Sequence, residues 1–110
     1  TYQGLLDQIS AAATRLMKRP GVRTLSLGLS IPGLINRREE RAVFSPNLHV
    51  TDGHSPAADL TRRLGIECVM HQESHALCLG ERMFGGPEPL DDFVVLEIST
   101  GLGLGVITEG

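Results

Sequence analysis

The spacing of apolar residues in the first third of the chain predicts a helix followed by a strand. Leu5, Ile9, Ala12, Ala13 and Leu16 recur at helical spacing between Tyr2 and Lys18, and Pro20-Gly21 ends the pattern. From Thr24 to Ile31, apolar and small polar residues alternate strictly. That period of two is typical of a strand, which Pro32-Gly33 ends.

The middle of the chain predicts a hairpin and a short helix. Residues 34–44 form two apolar stretches around the charged residues 37–40, which indicates a hairpin with a solvated tip. Further on, Ser55 is suited to cap a helix that has Pro56 at its first position, and Gly65 is suited to end it.

The last third of the chain continues this alternation of strands and helices. We predict a strand over Ile66–His71 and a helix over Ser74–Phe84. Ala76, Leu79, Gly80, Met83 and Phe84 would share the buried face of this helix, with Gly80 packed closely against a neighbour. The apolar run Phe93–Ile98 is typical of a strand covered on both faces. A glycine-rich turn over Gly101–Gly105 then leads to a final strand through Val106 and Ile107, so the fold class is α/β.

Composition excludes some classes of function and weakens others. The 110 residues carry a net charge of −3, which argues against direct contact with nucleic acid because phosphate binding needs a basic face. No apolar run approaches the roughly 20 residues of a membrane span. Cys68 and Cys78 fall in different predicted elements, and without an export signal we expect reduced thiols and a cytoplasmic protein.

Two segments at predicted strand ends could bind a ligand. Gly33, in Ser30–Gly33, can expose its backbone N–H, although a plain turn explains this segment equally well. In His71–His75, Gln72 and Glu73 offer donors and acceptors for vicinal hydroxyls, and the carboxylate could act as a general base.

Two alternatives remain open for His71–His75. His71 and His75 are four residues apart, but a zinc site is the weaker interpretation because Gln72 stands where a metalloprotease has glutamate. The segment could also be only a helix start, with Ser74 as the cap and Glu73 complementing the helix dipole.

A third segment, residues 99–105, is rich in glycine. Because predicted strands flank it on both sides, it is not a dinucleotide-binding turn, which needs a helix to follow. Its backbone N–H groups and the Thr100 hydroxyl could cradle a phosphate, but a tight hairpin needs glycine as well.

Four stretches follow one another along the chain: LGLSIPGL at residues 27–34, FSPNL at 44–48, MHQESHALCLGE at 70–81 and the glycine-rich residues 99–110. In this order they resemble the GIGVPGPV, APNL, ENDANAAALGE and GTGIGGGIVLDG segments of the ROK family (repressor, open reading frame, kinase). The resemblance is closest to the family's N-acetylglucosamine-repressor-like and xylose-repressor-like regulators. The resemblance covers nearly the whole chain.

The resemblance implies part of an actin-like, ribonuclease-H-like fold with a sugar in its cleft. Residues 1–74 would be the C-terminal part of the first, sugar-binding lobe, and residues 75–110 an interdomain helix and the start of the second lobe. Gly33, Asn47, Gln72 and Glu73 would line the sugar pocket. Thr100 and Gly101 would match the phosphate loop of the family's kinases. No metal ligands are expected.

Departures from the family pattern favour a regulator over a kinase. Family kinases have Asn-Asp at the position of Gln72-Glu73, and the aspartate is their catalytic base. The printed sequence also lacks their N-terminal phosphate loop and zinc segments, as well as the DNA-binding module of the repressors. We expect a sugar-sensing segment of a longer regulator that binds a sugar or amino sugar, needs no cofactor, contacts DNA only through another module and forms homo-oligomers. A piece of an ATP- and Mg²⁺-dependent sugar kinase is the alternative, and a dimerisation fragment that binds nothing is a third hypothesis.

Overall fold

The computed structural model describes residues 1–88 and 90–110. These residues form three α-helices, six strands and one 3-10 turn, with helices and strands interspersed along the chain. These are α1 (Tyr2–Met17), β1 (Ser26–Ile31), β2 (Leu34–Asn36), β3 (Arg41–Phe44), the 3-10 turn His49–Thr51, α2 (Pro56–Leu64), β4 (Glu67–Gln72), α3 (Glu73–Phe84), β5 (Phe93–Ile98) and β6 (Leu102–Ile107). The α/β class predicted from the sequence is confirmed.

A parallel pair of strands forms the centre of the first half. β1 pairs with β4 from Ser26 opposite Glu67 to Ile31 opposite Gln72. Parallel strands need a crossover, and α2 supplies it. Leu6, Ala57, Leu60 and Cys68 form the core between the two helices and this sheet, with Leu27 and Leu29 packed against them. The core is aliphatic, as the scarcity of aromatic residues requires.

The buried face of α1 agrees only in part with the predicted one: Ala13 is buried and Ile9 packs against the core as predicted, but the centre of the face is shifted. Leu6 and Ala13 are buried, whereas Leu16 is 57% exposed and Ala12 is also exposed. Leu5 and Leu6 are adjacent, so two helical faces were compatible with the sequence. Contact with α2 selects the face that contains Leu6.

Tyr2 links α1 to α2. Its hydroxyl donates a hydrogen bond to Asp59 Oδ2 at 2.5 Å, and its ring stacks on His54 with centroids 3.8 Å apart. Burial of the phenol, followed by the hydrogen bond and the charge of Asp59, raises the pKa of Tyr2 above its ordinary value of 10.0.

Helix α3 packs on the β5–β6 hairpin through small residues. Its buried residues are Ser74 and Cys78, and they face Gly103 and Gly105 of β6. A Cβ at Gly105 would lie 2.6 Å from the Ser74 carbonyl oxygen. These two glycines therefore allow a strand to approach a helix, and they belong to β6 rather than to the predicted turn.

The predicted apolar face of α3 was wrong. Leu79, Met83 and Phe84 are 39%, 69% and 83% exposed, and a Cβ at Gly80 would meet nothing within 4 Å. The side of α3 that carries Ser74 and Cys78 faces β6 instead, where Gly103 and Gly105 have no side chains to prevent close approach.

The strand predicted over Phe93–Ile98 is confirmed as β5, but the prediction that both of its faces are covered was wrong. Its residues alternate between half-buried and exposed, with Val94, Leu96 and Ile98 more than half exposed. Within the described part of the chain, α3 covers one face of the hairpin and nothing covers the other. The outer face of β5–β6 therefore displays six aliphatic side chains, namely Val94, Leu96, Ile98, Leu102, Leu104 and Val106.

Both cysteines are buried and unpaired. Cys68 belongs to the core beneath α2, whereas Cys78 contacts β6. Among the described residues, no helix combines the length and the apolar character that crossing a membrane requires.

Candidate functional site

All six residues singled out as a sugar pocket or phosphate loop line one cleft of about 590 Å³. Gly33, Asn47, Gln72, Glu73, Thr100 and Gly101 come from four separate segments of the chain. The end of β1, the loop after β3, the β4–α3 junction and the tip of the β5–β6 hairpin meet there. Their convergence is what a ligand site at the carboxyl end of a parallel strand pair requires.

Gly33 shapes the wall of the cleft at the end of β1. Its φ is +91°, and a Cβ there would lie 2.7 Å from Ser45 Cα and would also collide with the Phe44 carbonyl oxygen. Only glycine suits both the backbone conformation and this contact. The residue therefore docks the Ser45 segment against the end of β1, in addition to lining the cleft.

The loop that carries Asn47 is held by hydrogen bonds on both sides. The N–H of the buried Ser45 donates a hydrogen bond to Asp52 Oδ1 at 2.8 Å. Its Oγ accepts from the Leu48 N–H at 3.1 Å, and the Thr51 hydroxyl donates to the Leu48 carbonyl at 2.9 Å. Asn47 is thus displayed from a fixed turn.

Asp52 also pairs with His49 of the same loop. His49 Nδ1 lies 3.0 Å from Asp52 Oδ2, and this hydrogen bond is the main reason that the pKa of the Asp52 carboxyl is lowered. Both side chains are on the surface, so the pair contributes to loop geometry more than to stability.

The β4–α3 junction supplies Gln72, Glu73 and Ser74 to the cleft. The predicted capping role of Ser74 was wrong, because α3 begins at Glu73 and Gln72 is its N-cap, with no side-chain capping bond. Ser74 is instead 2% exposed and packs under Gly103. Glu73 is half-buried in the first turn, where the helix dipole favours a negative charge.

The glycine-rich segment contributes only its tip to the cleft. Residues 99–101 form the turn, and the Ser99 N–H donates to the Gly101 carbonyl at 3.0 Å. Thr100 and Gly101 are exposed, and a Cβ at Gly101 would lie 3.4 Å from Asn47 Nδ2. The hairpin tip therefore adjoins the Asn47 loop, while Gly103 and Gly105 serve the packing of α3.

Sequence reasoning missed Glu97, which also lines the cleft. It lies on the half-buried side of β5, and a Cβ at Gly103 would be 3.1 Å from its Oε2. A signal was available, since Glu97 is the single charged residue within the apolar run Phe93–Ile98. A charge on the inner face of a strand is rarely placed there for packing alone.

The charge of the cleft favours a ligand rich in hydroxyl groups. Two carboxylates, Glu73 and Glu97, line it, and no lysine, arginine or histidine is among the described lining residues. Carboxylates accept strong hydrogen bonds from hydroxyls but repel phosphates. In the described part of the chain, no three histidine, cysteine or acidic side chains are grouped as a metal would need.

The sequence and the fold identify the family of the chain. The ROK family model matches residues 1–110, and the chain belongs to the ROK family. The structure is correspondingly a part of the actin-like fold that the family's sugar kinases and regulators share.

Relatives of both functional kinds are similar to the chain. It is 29% identical to the xylose repressor of Bacillus subtilis over 103 residues, which are 94% of this chain and 26% of the repressor. It is 36% identical to the glucokinase of Thermotoga maritima over 101 residues, which are 90% of this chain and 31% of the kinase. It is also 23% identical over 86 residues to the Escherichia coli transcriptional dual regulator NagC, covering 78% of this chain and 21% of NagC.

A solved structure matches the fold closely. The ROK family glucokinase of Streptomyces griseus, in complex with glucose and AMPPNP, superposes with a TM-score of 0.85 at 25% identity. The match covers 97% of this chain and 33% of the kinase. The chain thus spans about a fifth to a third of the length of these relatives.

Proposed function

We propose that this chain is the sugar-sensing segment of a ROK family transcriptional regulator, with the cleft between β1, β4 and the β5–β6 hairpin as the effector site. One observation carries the proposal: six residues predicted from the family resemblance line a single cleft whose only charges, among the described residues, are two carboxylates. A sugar or amino sugar is the class of ligand that such a cleft suits, because its vicinal hydroxyls are hydrogen-bond donors.

Five of the lining residues have a role in this proposal. Glu73 accepts hydrogen bonds from two hydroxyls, and Gln72 and Asn47 offer both a donor and an acceptor. Gly33 has no side chain, so its backbone N–H is accessible to the sugar ring. Glu97 stands near the hairpin tip, where it can accept from a hydroxyl or pair with the ammonium group of an amino sugar.

The Gln72-Glu73 pair supports a regulator. The family's kinases have aspartate where Glu73 stands, and glutamate extends its carboxylate by one methylene. A general base must lie within hydrogen-bond reach of the proton it removes, so this displacement weakens catalysis more than binding. Contact with DNA would come from another part of the protein, and a cytoplasmic location stays a prediction.

The second candidate is a sugar kinase, favoured by the 36% identity to the Thermotoga maritima glucokinase. In that case ATP and Mg²⁺ would be needed, Glu73 would be the base, and Thr100 and Gly101 would face the phosphates. Because the described cleft is lined by carboxylates without a basic side chain, the phosphates would depend on the metal ion or on residues elsewhere in the protein.

A pair of assays on the full-length protein separates these functions. Calorimetric titration with a panel of hexoses, pentoses and N-acetylated amino sugars should show saturable binding of at least one sugar. A coupled assay for ATP consumption should show no sugar-dependent turnover, and Glu73→Asp should not create efficient turnover. Sugar-dependent turnover that Glu73→Gln abolishes would establish the kinase instead, and absence of binding across the panel would contradict both.

We also propose that the protein forms homo-oligomers. Among the described residues β1 pairs along one edge only, with β4, and an open strand edge is a template for association. The apolar outer face of β5–β6 is a second surface that favours contact. Light scattering coupled to size exclusion should show a dimer or larger species, and a monomer at high concentration would contradict the proposal.

A further inference from the structure

The tip of the β5–β6 hairpin carries hydrogen-bond donors that could hold a phosphate. In the described part of the chain, the backbone N–H groups of Thr100 and Gly101 donate to no backbone carbonyl, and both residues are exposed. The Thr100 hydroxyl is a third donor. The Asn47 amide adjoins them, since a Cβ at Gly101 would lie 3.4 Å from its Nδ2. Converging backbone N–H groups of this kind bind anions in glycine-rich turns.

Glu97 places a negative charge next to these donors. It precedes Ser99 by two residues, so the two side chains point to the same side of β5, with their Cα atoms roughly 7 Å apart at the rise of a strand. Glu97 also pairs with Gly103 across the hairpin, and a Cβ at Gly103 would lie 3.1 Å from Glu97 Oε2. The carboxylate therefore lies close to the backbone of the hairpin, beside the turn.

No positive charge offsets that of Glu97. Among the described residues, no lysine, arginine or histidine lines the cleft and no ion pair uses Glu97. The side chain is half-buried, so water screens its charge less than it would at a fully exposed site. Two like charges about 7 Å apart near a protein surface weaken binding by roughly tenfold or more.

The packing of β5 does not require a charge at this position. The other residues on the half-buried side of the strand are Phe93 and Val95, and both are apolar. A partly buried carboxylate without an ion pair loses hydration and gains no compensating attraction from the protein. An unpaired charge of this kind is a means by which a protein discriminates against a ligand of the same sign.

We propose that Glu97 excludes the phosphates of nucleotides from the hairpin tip, so that ATP does not compete with the effector for the cleft. The donors of the tip would attract a phosphate, and the adjacent carboxylate repels it. The exclusion rests on the charges of the cleft alone, whereas its use in a regulator rests on the proposed function. Glu97 is then a residue that determines which ligands the cleft admits.

Removing the charge of Glu97 without changing the size of its side chain tests the exclusion. ATP should be titrated calorimetrically into the full-length protein, Glu97→Gln and Glu97→Lys, with EDTA present so that no metal ion offsets the repulsion. Glu97→Gln should bind ATP about tenfold or more tightly than the parent, and Glu97→Lys more tightly still. Equal affinities of the parent and Glu97→Gln, including no detectable binding by either, would overturn the proposal.

Glu81→Gln is the matched control. Glu81 is exposed and does not line the cleft, so this variant should bind ATP as the parent does. A gain in Glu81→Gln equal to that in Glu97→Gln would show an effect of net charge alone, and the proposal would be wrong.

A second titration with excess Mg²⁺ separates exclusion of phosphate from binding of a metal ion. Carboxylates also bind the Mg²⁺ ion that accompanies ATP. If Glu97 excludes phosphates, Glu97→Gln should bind ATP with Mg²⁺ at least as tightly as the parent does. Tighter binding by the parent would mean that Glu97 holds the metal ion, which contradicts the proposal.

Sugar titrations of the parent keep this inference distinct from the proposed function. If a sugar binds but the affinity for ATP does not depend on Glu97, the proposed function holds and this inference is wrong. If Glu97→Gln gains affinity for ATP and no sugar binds the parent, the exclusion holds and the proposed function is wrong.

Discussion

Replacing Glu73 by alanine is the sharpest test of the cleft. Glu73 is half-buried at the first position of α3 and lines the cleft beside Gln72. A carboxylate that accepts two sugar hydroxyls contributes about 1.5–3 kcal/mol for each charge-assisted bond. Glu73→Ala in the full-length protein should therefore weaken sugar binding by roughly tenfold to several hundredfold.

The fold should tolerate this substitution. Glu73 belongs to neither the buried core nor any ion pair among the described residues. Loss of its favourable interaction with the helix dipole costs about 0.3–1 kcal/mol, which a thermal unfolding curve will resolve as a small shift.

Glu81→Ala is the matched control. Glu81 lies in the same helix, is exposed and does not line the cleft. Calorimetry on both variants with the sugar that binds the parent should show an affinity loss for Glu73→Ala alone. If Glu73→Ala binds as the parent does, the assignment of the cleft is wrong, and Glu73 only complements the dipole of α3.

Three further predictions concern the fold and are tested by denaturant unfolding and titration. Gly105→Ala should destabilise the protein by about 1–3 kcal/mol, since its Cβ would press on the carbonyl of Ser74, whereas Gly80→Ala should stabilise it by about 0.5–1 kcal/mol; equal effects would contradict the packing of α3 on β6. Gly33→Ala should cost about 1–3 kcal/mol or more and distort the cleft, and a neutral result would refute the close contact with the loop after β3. The phenol of Tyr2, the sole tyrosine of the chain, should ionise above pH 10.0 in the folded chain, so its stabilising contribution is present below that pH and declines above it. An absorbance titration of the phenol with its midpoint at pH 10.0 would contradict this. So would a Tyr2→Phe variant that loses stability at alkaline pH as the parent does.

The alternation of helices and strands could be predicted from the sequence because local periodicity controls it. The end of α2 at Gly65, in the left-handed conformation at φ 70°, and the turn over residues 37–40 follow from turn and cap chemistry. The order of the motifs also led to the family and to six lining residues of the cleft. These features depend on neighbours along the chain or on a pattern that spans it.

Tertiary packing decided which side of each element is buried, and the sequence alone did not predict these buried faces correctly. In α3 the larger apolar residues predicted the wrong face, since the contact that forms depends on Gly103 and Gly105 of a distant strand. Likewise, the charge of Glu97 stands out in the apolar run Phe93–Ile98, but its meeting with Glu73 in one cleft depends on the fold. Periodicity along the sequence determines the elements of this protein, whereas the surfaces that meet, and the charges they bring together, depend on contacts between residues far apart in the chain.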